Sequence, residues 1–72
     1  VELPPMQPVE SSAIEAAGYD PAEQILALRF TGGATYLYYE VPPEVFDDLL
    51  AAESTGRFVN GIVKPRFRAV AL

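Results

Sequence analysis

Gln24-Ile25-Leu26-Ala27-Leu28-Arg29-Phe30-Thr31-Gly32-Gly33-Ala34-Thr35-Tyr36-Leu37-Tyr38-Tyr39-Glu40-Val41 is the stretch that decides the fold. Two alternating runs rich in β-forming and aromatic residues flank Gly32-Gly33, a dipeptide that supplies the positive φ of a primed two-residue turn, so the stretch predicts a β-hairpin. With Gly32 and Gly33 as the loop, counting outward pairs Phe30 with Thr35, Arg29 with Tyr36, Leu28 with Leu37, Ala27 with Tyr38 and Leu26 with Tyr39. One face then carries Leu26, Leu28, Phe30, Leu37, Tyr39 and Val41 and is the expected core side. The other carries Ala27, Arg29, Tyr36, Tyr38 and Glu40. A slip of one residue reverses this sorting.

Downstream, Pro42-Pro43 ends the strand, and Pro43 suits the first turn of a helix expected at about 43–53. Its apolar residues Val45, Phe46, Leu49 and Leu50 fall on one side, its acids Glu44, Asp47 and Asp48 suit the N-terminal half of the macrodipole, and Gly56 is the expected stop. Beyond it, Ser54-Thr55 can cap another short helix while Asn60-Gly61 can turn. The expectation is a helical turn followed by a last strand from about Arg66 to Val70. Upstream, residues 11–20 admit two readings. Ser12 with Glu15 fits a capping box, with Gly18 as a helix stop; Ile14 and Ala16 alternate like a strand, and Asp20-Pro21 reads as a turn. The strand is the reading adopted. Residues 1–9 hold three of the seven prolines and no periodicity, which predicts a flexible arm ahead of a single domain at 10–72.

Seventy-two residues make one small domain, with no cysteine to staple it, so stability must come from packing or from an oligomer interface. The composition, 50% hydrophobic with four Phe and four Tyr, is that of a globular chain. No apolar run approaches the roughly 18 residues of a membrane span, and Val1-Glu2-Leu3-Pro4-Pro5 lacks the regions of a signal peptide; the expectation is a cytoplasmic protein that engages no membrane. The formal net charge is −5, yet charge is divided along the chain. All ten acids lie at or before Glu53, and Arg57, Lys64, Arg66 and Arg68 follow it. A cationic tail on an acidic body points to an anionic partner contacted locally, and it argues against general binding to duplex DNA, which needs several phosphates neutralised together.

Catalysis finds little footing. The absence of His and Cys removes the usual general base near neutral pH, the thiol nucleophile and the commonest metal ligands. Ser11 or Ser12 with Lys64 can be imagined as a Ser–Lys pair, but serines beside an N-terminal arm read as caps or turn residues. Asp47 and Asp48 are adjacent on a helix, point about 100° apart, and make a poor joint magnesium site. No catalytic residue, metal or small-molecule cofactor is expected.

Ser11-Ser12-x-Ile14, Gly18-Tyr19-Asp20, Tyr36-x-Tyr38-x-x-Val41-Pro42, Ser54-x-Gly56-x-Phe58-x-Asn60 and Val63-Lys64-x-x-Phe67 together resemble the KTSC domain, named from the C-terminus of certain lysyl-tRNA synthetases. The resemblance covers roughly residues 11–68, and agreement of several separately spaced motifs is specific. It implies a domain that occurs appended to larger enzymes or alone as a small bacterial protein, whose suggested activity is RNA binding. The family's Tyr-x-Tyr falls on Tyr36 and Tyr38. Phe67 stands where a Tyr is usual, so a hydroxyl role at that position is lost. Val59 and Val63 likewise replace an aromatic and an Ile. Small bent sheets of this length also resemble Sm-like barrels, an analogy of architecture that carries no function.

The expected fold class is α+β, a small strongly bent antiparallel sheet with one amphipathic helix. Its expected site combines stacking on Tyr36 and Tyr38 beside Arg29 with phosphate contacts from Arg57, Lys64, Arg66 and Arg68. On a last strand Lys64, Arg66 and Arg68 share a side, because side chains there repeat every second residue. Each feature has a plainer reading: the tyrosines as core-edge or oligomer contacts, the cations as a solvated strand facing Glu40, Asp47 or Asp48. The functional expectation is a non-catalytic accessory module binding single-stranded RNA. Its alternative is a protein-interaction or self-assembly module, with a homo-oligomer or a larger protein as partner.

Overall fold

The computed structural model describes residues 4–72. Five antiparallel strands follow one another in sheet order: β1 (Gln7–Pro8), β2 (Ile14–Asp20), β3 (Ile25–Phe30), β4 (Thr35–Tyr38) and β5 (Ala69–Ala71). Between β4 and β5 the chain forms α1 (Pro43–Ala51), α2 (Thr55–Phe58), a π-helical turn (Val59–Val63) and α3 (Lys64–Arg66). The result is an α+β domain with an open sheet. β1 and β5 are its edges, so the closure of a barrel is not seen among the described residues.

The hairpin forms, in a register one residue away from the expected one. Leu26 pairs with Tyr38, Ala27 with Leu37, Leu28 with Tyr36 and Arg29 with Thr35. The cause is the loop, which is longer than two residues. Phe30 N–H donates to the Ala34 carbonyl (2.7 Å) and Gly33 N–H to the Phe30 carbonyl (3.0 Å), closing a turn through Thr31-Gly32-Gly33. Gly32 and Gly33 both take positive φ, 105° and 99°. Three residues at the turn instead of two shift every partner by one and exchange faces, as period-two geometry demands. Tyr36 and Tyr38 therefore join Leu26, Leu28 and Phe30 on the helix-covered side, and Leu37 faces the other way.

The strand reading of residues 12–18 holds as β2, which pairs with β3 from Ile14↔Phe30 to Asp20↔Ile25 with a bulge between Ile14 and Ala16. The extra residue lets Ile14, Ala17 and Tyr19 all serve the main core, while Ala16 and Gly18 face the opposite side. That opposite side is covered by the segment expected to be a flexible arm. Gln7 and Pro8 pair with Ala17 and Ala16, Pro4 is buried, and Met6 packs on Ile25, Ala27 and Leu37. Gly18 permits it: a Cβ there would stand 2.5 Å from the Pro5 carbonyl oxygen and 3.0 Å from the Met6 sulfur. Residues 1–3 of that expected arm lie outside the described residues.

The core proper lies between the sheet and the helices. α1 contributes Val45 and Leu49, with Phe46 half-buried, stacked on Tyr19 at 5.2 Å between ring centroids. Leu50, expected on the same apolar side, is 46% exposed. α1 ends at Ala51, where Ala52 turns extended, so Gly56 is not its stop. Gly56 lies inside α2, where a Cβ would come within 3.1 Å of the Ala13 Cβ. Ser54 caps α2, accepting the Arg57 N–H at 3.3 Å. From Thr55 the helical path runs to Arg66, burying Thr55, Val59 and Val63 at intervals of four. Pro65 has no N–H for the Gly61 carbonyl and its ring crowds that turn. The π-turn just before it, in which Lys64 N–H bonds the Val59 carbonyl, widens the helix enough to continue through the proline. The expected last strand accordingly starts later, at Ala69.

β4 leaves the sheet through Glu40, whose φ is 57°. A non-glycine residue in that region costs about 1–2 kcal/mol. The turn breaks the strand alternation, sending Val41 into the core at 0% exposure, where its N–H bonds the Gln24 carbonyl at 2.9 Å. Gln24 is itself left-handed, with φ 54°.

Candidate nucleic-acid interface

The register change redistributes the expected site. Arg29 pairs with Thr35 and Ala16 instead of Tyr36. It therefore sits on the sheet face opposite the two tyrosines, and the platform of Arg29 with Tyr36 and Tyr38 does not form. Tyr38 is 3% exposed and belongs to the core. Burial raises its hydroxyl pKa above the ordinary tyrosine value, with Tyr36 adding to the effect. Tyr36 is half-buried, its ring edge-to-face with Phe30 at 5.4 Å.

The helical path of residues 64–66 also replaces the expected one-sided row of cations. Two residues apart on a helix point roughly 200° apart, so Lys64 and Arg66 diverge. Lys64 Nζ lies over the Phe30 ring, 5.2 Å from its centroid. With Phe30, Ala34, Tyr36 and Ala69 it lines an open groove of about 430 Å³ on the helix side of the sheet, floored by Tyr38. Arg66 Cζ lies 5.7 Å from the Phe67 ring centroid. Arg66, Phe67, Arg68 and Val70 line a second groove of about 630 Å³ together with Tyr39 and Glu40. The Tyr39 N–H to Arg68 carbonyl bond (3.0 Å) joins the two segments that line it. Arg57 is exposed on α2 and lines neither groove, and neither does Arg29.

Both grooves thus pair a cation with an aromatic ring along one segment, residues 64–70. Phe30, Tyr39, Glu40 and Phe67 complete them and were not among the expected site residues. Phe30 and Tyr39 carried the wrong expected surroundings because of the register, and Glu40 carried no local signal beyond its charge. Among the described residues no group of three or more His, Cys, Asp or Glu is placed to hold a metal ion. Among the same residues no helix is long and apolar enough to cross a membrane.

A small α+β domain with an open five-stranded sheet and cation–aromatic grooves beside its last strand is the class these features define. Residues 10–67 match the profile of the KTSC domain, and the chain belongs to that family. It is 48% identical over 58 residues to an uncharacterized protein of Stutzerimonas stutzeri, covering 81% of this chain and 82% of that protein. It is 35% identical over 68 residues to a lysine–tRNA ligase of Nostoc punctiforme, covering 94% of this chain and 12% of the ligase. Among solved structures, a KTSC domain protein from Yersinia pestis superposes with a TM-score of 0.89 at 38% identity, over 94% of this chain and 96% of that one.

Proposed function

We propose that this domain is a non-catalytic accessory module that binds single-stranded RNA along residues 64–70. The observation that carries the reading is the pairing of cations with aromatic rings in two adjoining grooves, Lys64 with Phe30 and Tyr36 in one, Arg66 and Arg68 with Tyr39 and Phe67 in the other. Stacked bases gain about 1–3 kcal/mol each on such rings, while neighbouring cations take the phosphates. The similarity to part of a lysine–tRNA ligase, an enzyme whose name places RNA among its substrates, agrees with this. The small antiparallel sheet invites comparison with Sm-like domains, although its edges are open.

The test is a fluorescence-polarisation titration of a labelled single-stranded RNA at low and moderate salt. Saturable binding that weakens with salt and is lost when Arg66 and Arg68 are both replaced by Ala supports the reading. Absence of binding at high protein concentration removes it. A second reading, self-assembly through β5, is favoured by one observation: the strand is exposed throughout and continues into Leu72, itself 66% exposed, at a sheet edge. Light scattering that reports a defined oligomer, insensitive to salt and dispersed by Leu72→Lys, would establish it instead.

A further inference from the structure

Resting on the RNA reading above, we infer that the groove lined by Glu40, Arg66 and Arg68 takes a guanine nucleotide in preference to other bases. Its volume, about 630 Å³, lies within the range of small-molecule sites, roughly 300–1,000 Å³. Its lining is chemically divided. Two guanidinium groups, Arg66 and Arg68, a single carboxylate, Glu40, and two aromatic rings, Tyr39 and Phe67, line it together.

Two guanidinium groups suit a phosphate, and the flanking rings suit a base. A carboxylate is the wrong group for a generic phosphate groove, since it repels the ligand's charge, so its presence in the lining calls for a ligand that also brings donors. Among the bases, guanine alone presents two adjacent N–H donors, N1–H and the N2 amino group, which the two oxygens of a carboxylate accept together. Adenine and cytosine turn a ring-nitrogen lone pair toward the same position, and uracil offers one N–H between two carbonyls. Glu40 therefore makes its bidentate contact with one base and at most a single hydrogen bond with the rest.

The position of Glu40 is held. Its left-handed backbone, φ 57°, is fixed between two hydrogen bonds, Tyr39 N–H to the Arg68 carbonyl and Val41 N–H to the Gln24 carbonyl. Residues kept in such conformations persist where the surrounding structure over-determines them, and they cluster at ligand sites. The Arg66 guanidinium is steadied in turn by the Phe67 ring. A donor-selecting group and phosphate-holding groups thus line one groove, on two segments joined by a backbone hydrogen bond.

The experiment compares short labelled oligouridines carrying one central G, A or C, titrated by polarisation against the intact chain. The expected result is a preference for G of about tenfold, the size a bidentate contact supplies. Glu40→Gln, which presents one acceptor and one donor, should abolish the G preference and move it toward A. Glu40→Gly, which suits the left-handed φ, should abolish it without a fall in Tm, so that loss of fold is not mistaken for loss of selectivity. Equal affinity for all three oligonucleotides, unchanged by Glu40→Gln, overturns the guanine assignment and leaves the RNA reading standing. No binding to any of them overturns both.

Discussion

Gly18 shows how far a single missing methyl group reaches. The chain crosses the sheet face at Gly18 so closely that any Cβ collides with the Pro5 carbonyl, a backbone atom that cannot swing aside. Gly18→Ala should therefore lower stability by about 1–3 kcal/mol, the usual cost of overpacking. It should also raise hydrogen exchange in Met6–Val9 ahead of the rest, which a global loss of packing would not do. Tyr19 is the second residue-scale device. Its hydroxyl donates to the Val41 carbonyl, and its pKa is raised by burial first and then by Glu44, Asp20 and Asp47. A phenol with a folded pKa above its unfolded one holds its proton more tightly in the fold. Its contribution is complete below the ordinary value of 10.0 and disappears as pH rises through the raised folded value. Denaturant midpoints measured across that alkaline range should fall for the native protein, with Tyr38 acting in the same direction, and fall less for Tyr19→Phe.

At the scale of elements, α1 separates two neighbouring leucines that pattern alone treats alike. Leu49 is fully buried against the sheet and Leu50 is 46% exposed. Leu49→Ala should cost about 2–5 kcal/mol, which in so small a domain removes most of the folded population. Leu50→Ala should stay within about 0.5 kcal/mol, and thermal melts of the pair decide it. The hairpin teaches a related lesson. Its existence, its two strands and its glycine turn were legible from β-forming residues around Gly32-Gly33. The register was not, because Thr31-Gly32-Gly33 and Gly32-Gly33 are equally good loops on local grounds. The choice depends on burying Tyr38 instead of Leu37 beneath the helices, while Leu37 finds Ile25, Ala27 and Met6 behind the sheet. With both faces covered, the alternation that normally discriminates between registers is blurred. The helical run through Pro65 escaped notice for a similar reason: proline normally ends a helix, and only the π-turn before it allows continuation.

For the molecule as a whole, charge sets what the proposed interface can do. The net charge of −5 combines −9 over the residues up to Glu53, ten acids against Arg29, with +4 beyond it, and the cations of the proposed segment are few: Lys64, Arg66 and Arg68, with Arg57 outside it on α2. Each phosphate neutralised on a single strand contributes about 0.7 to the salt slope. The logarithm of the affinity should thus fall with the logarithm of salt at a slope between about 1.4, for two contacts, and about 2.1, for three. A slope far steeper would mean that binding uses more of the surface than this segment, and duplex DNA should compete poorly in the same titration. The sequence by itself determined the α+β class, the central hairpin, the acidic helix, the charge division and the family, because each rests on periodicity, turn chemistry or spaced motifs local in the chain. Tertiary structure alone decided which face each tyrosine occupies, that Gln7 and Pro8 join the sheet, and that Lys64 parts company with Arg66 and Arg68. Those outcomes are set by competition between distant segments for the same buried surface, a quantity no local stretch encodes.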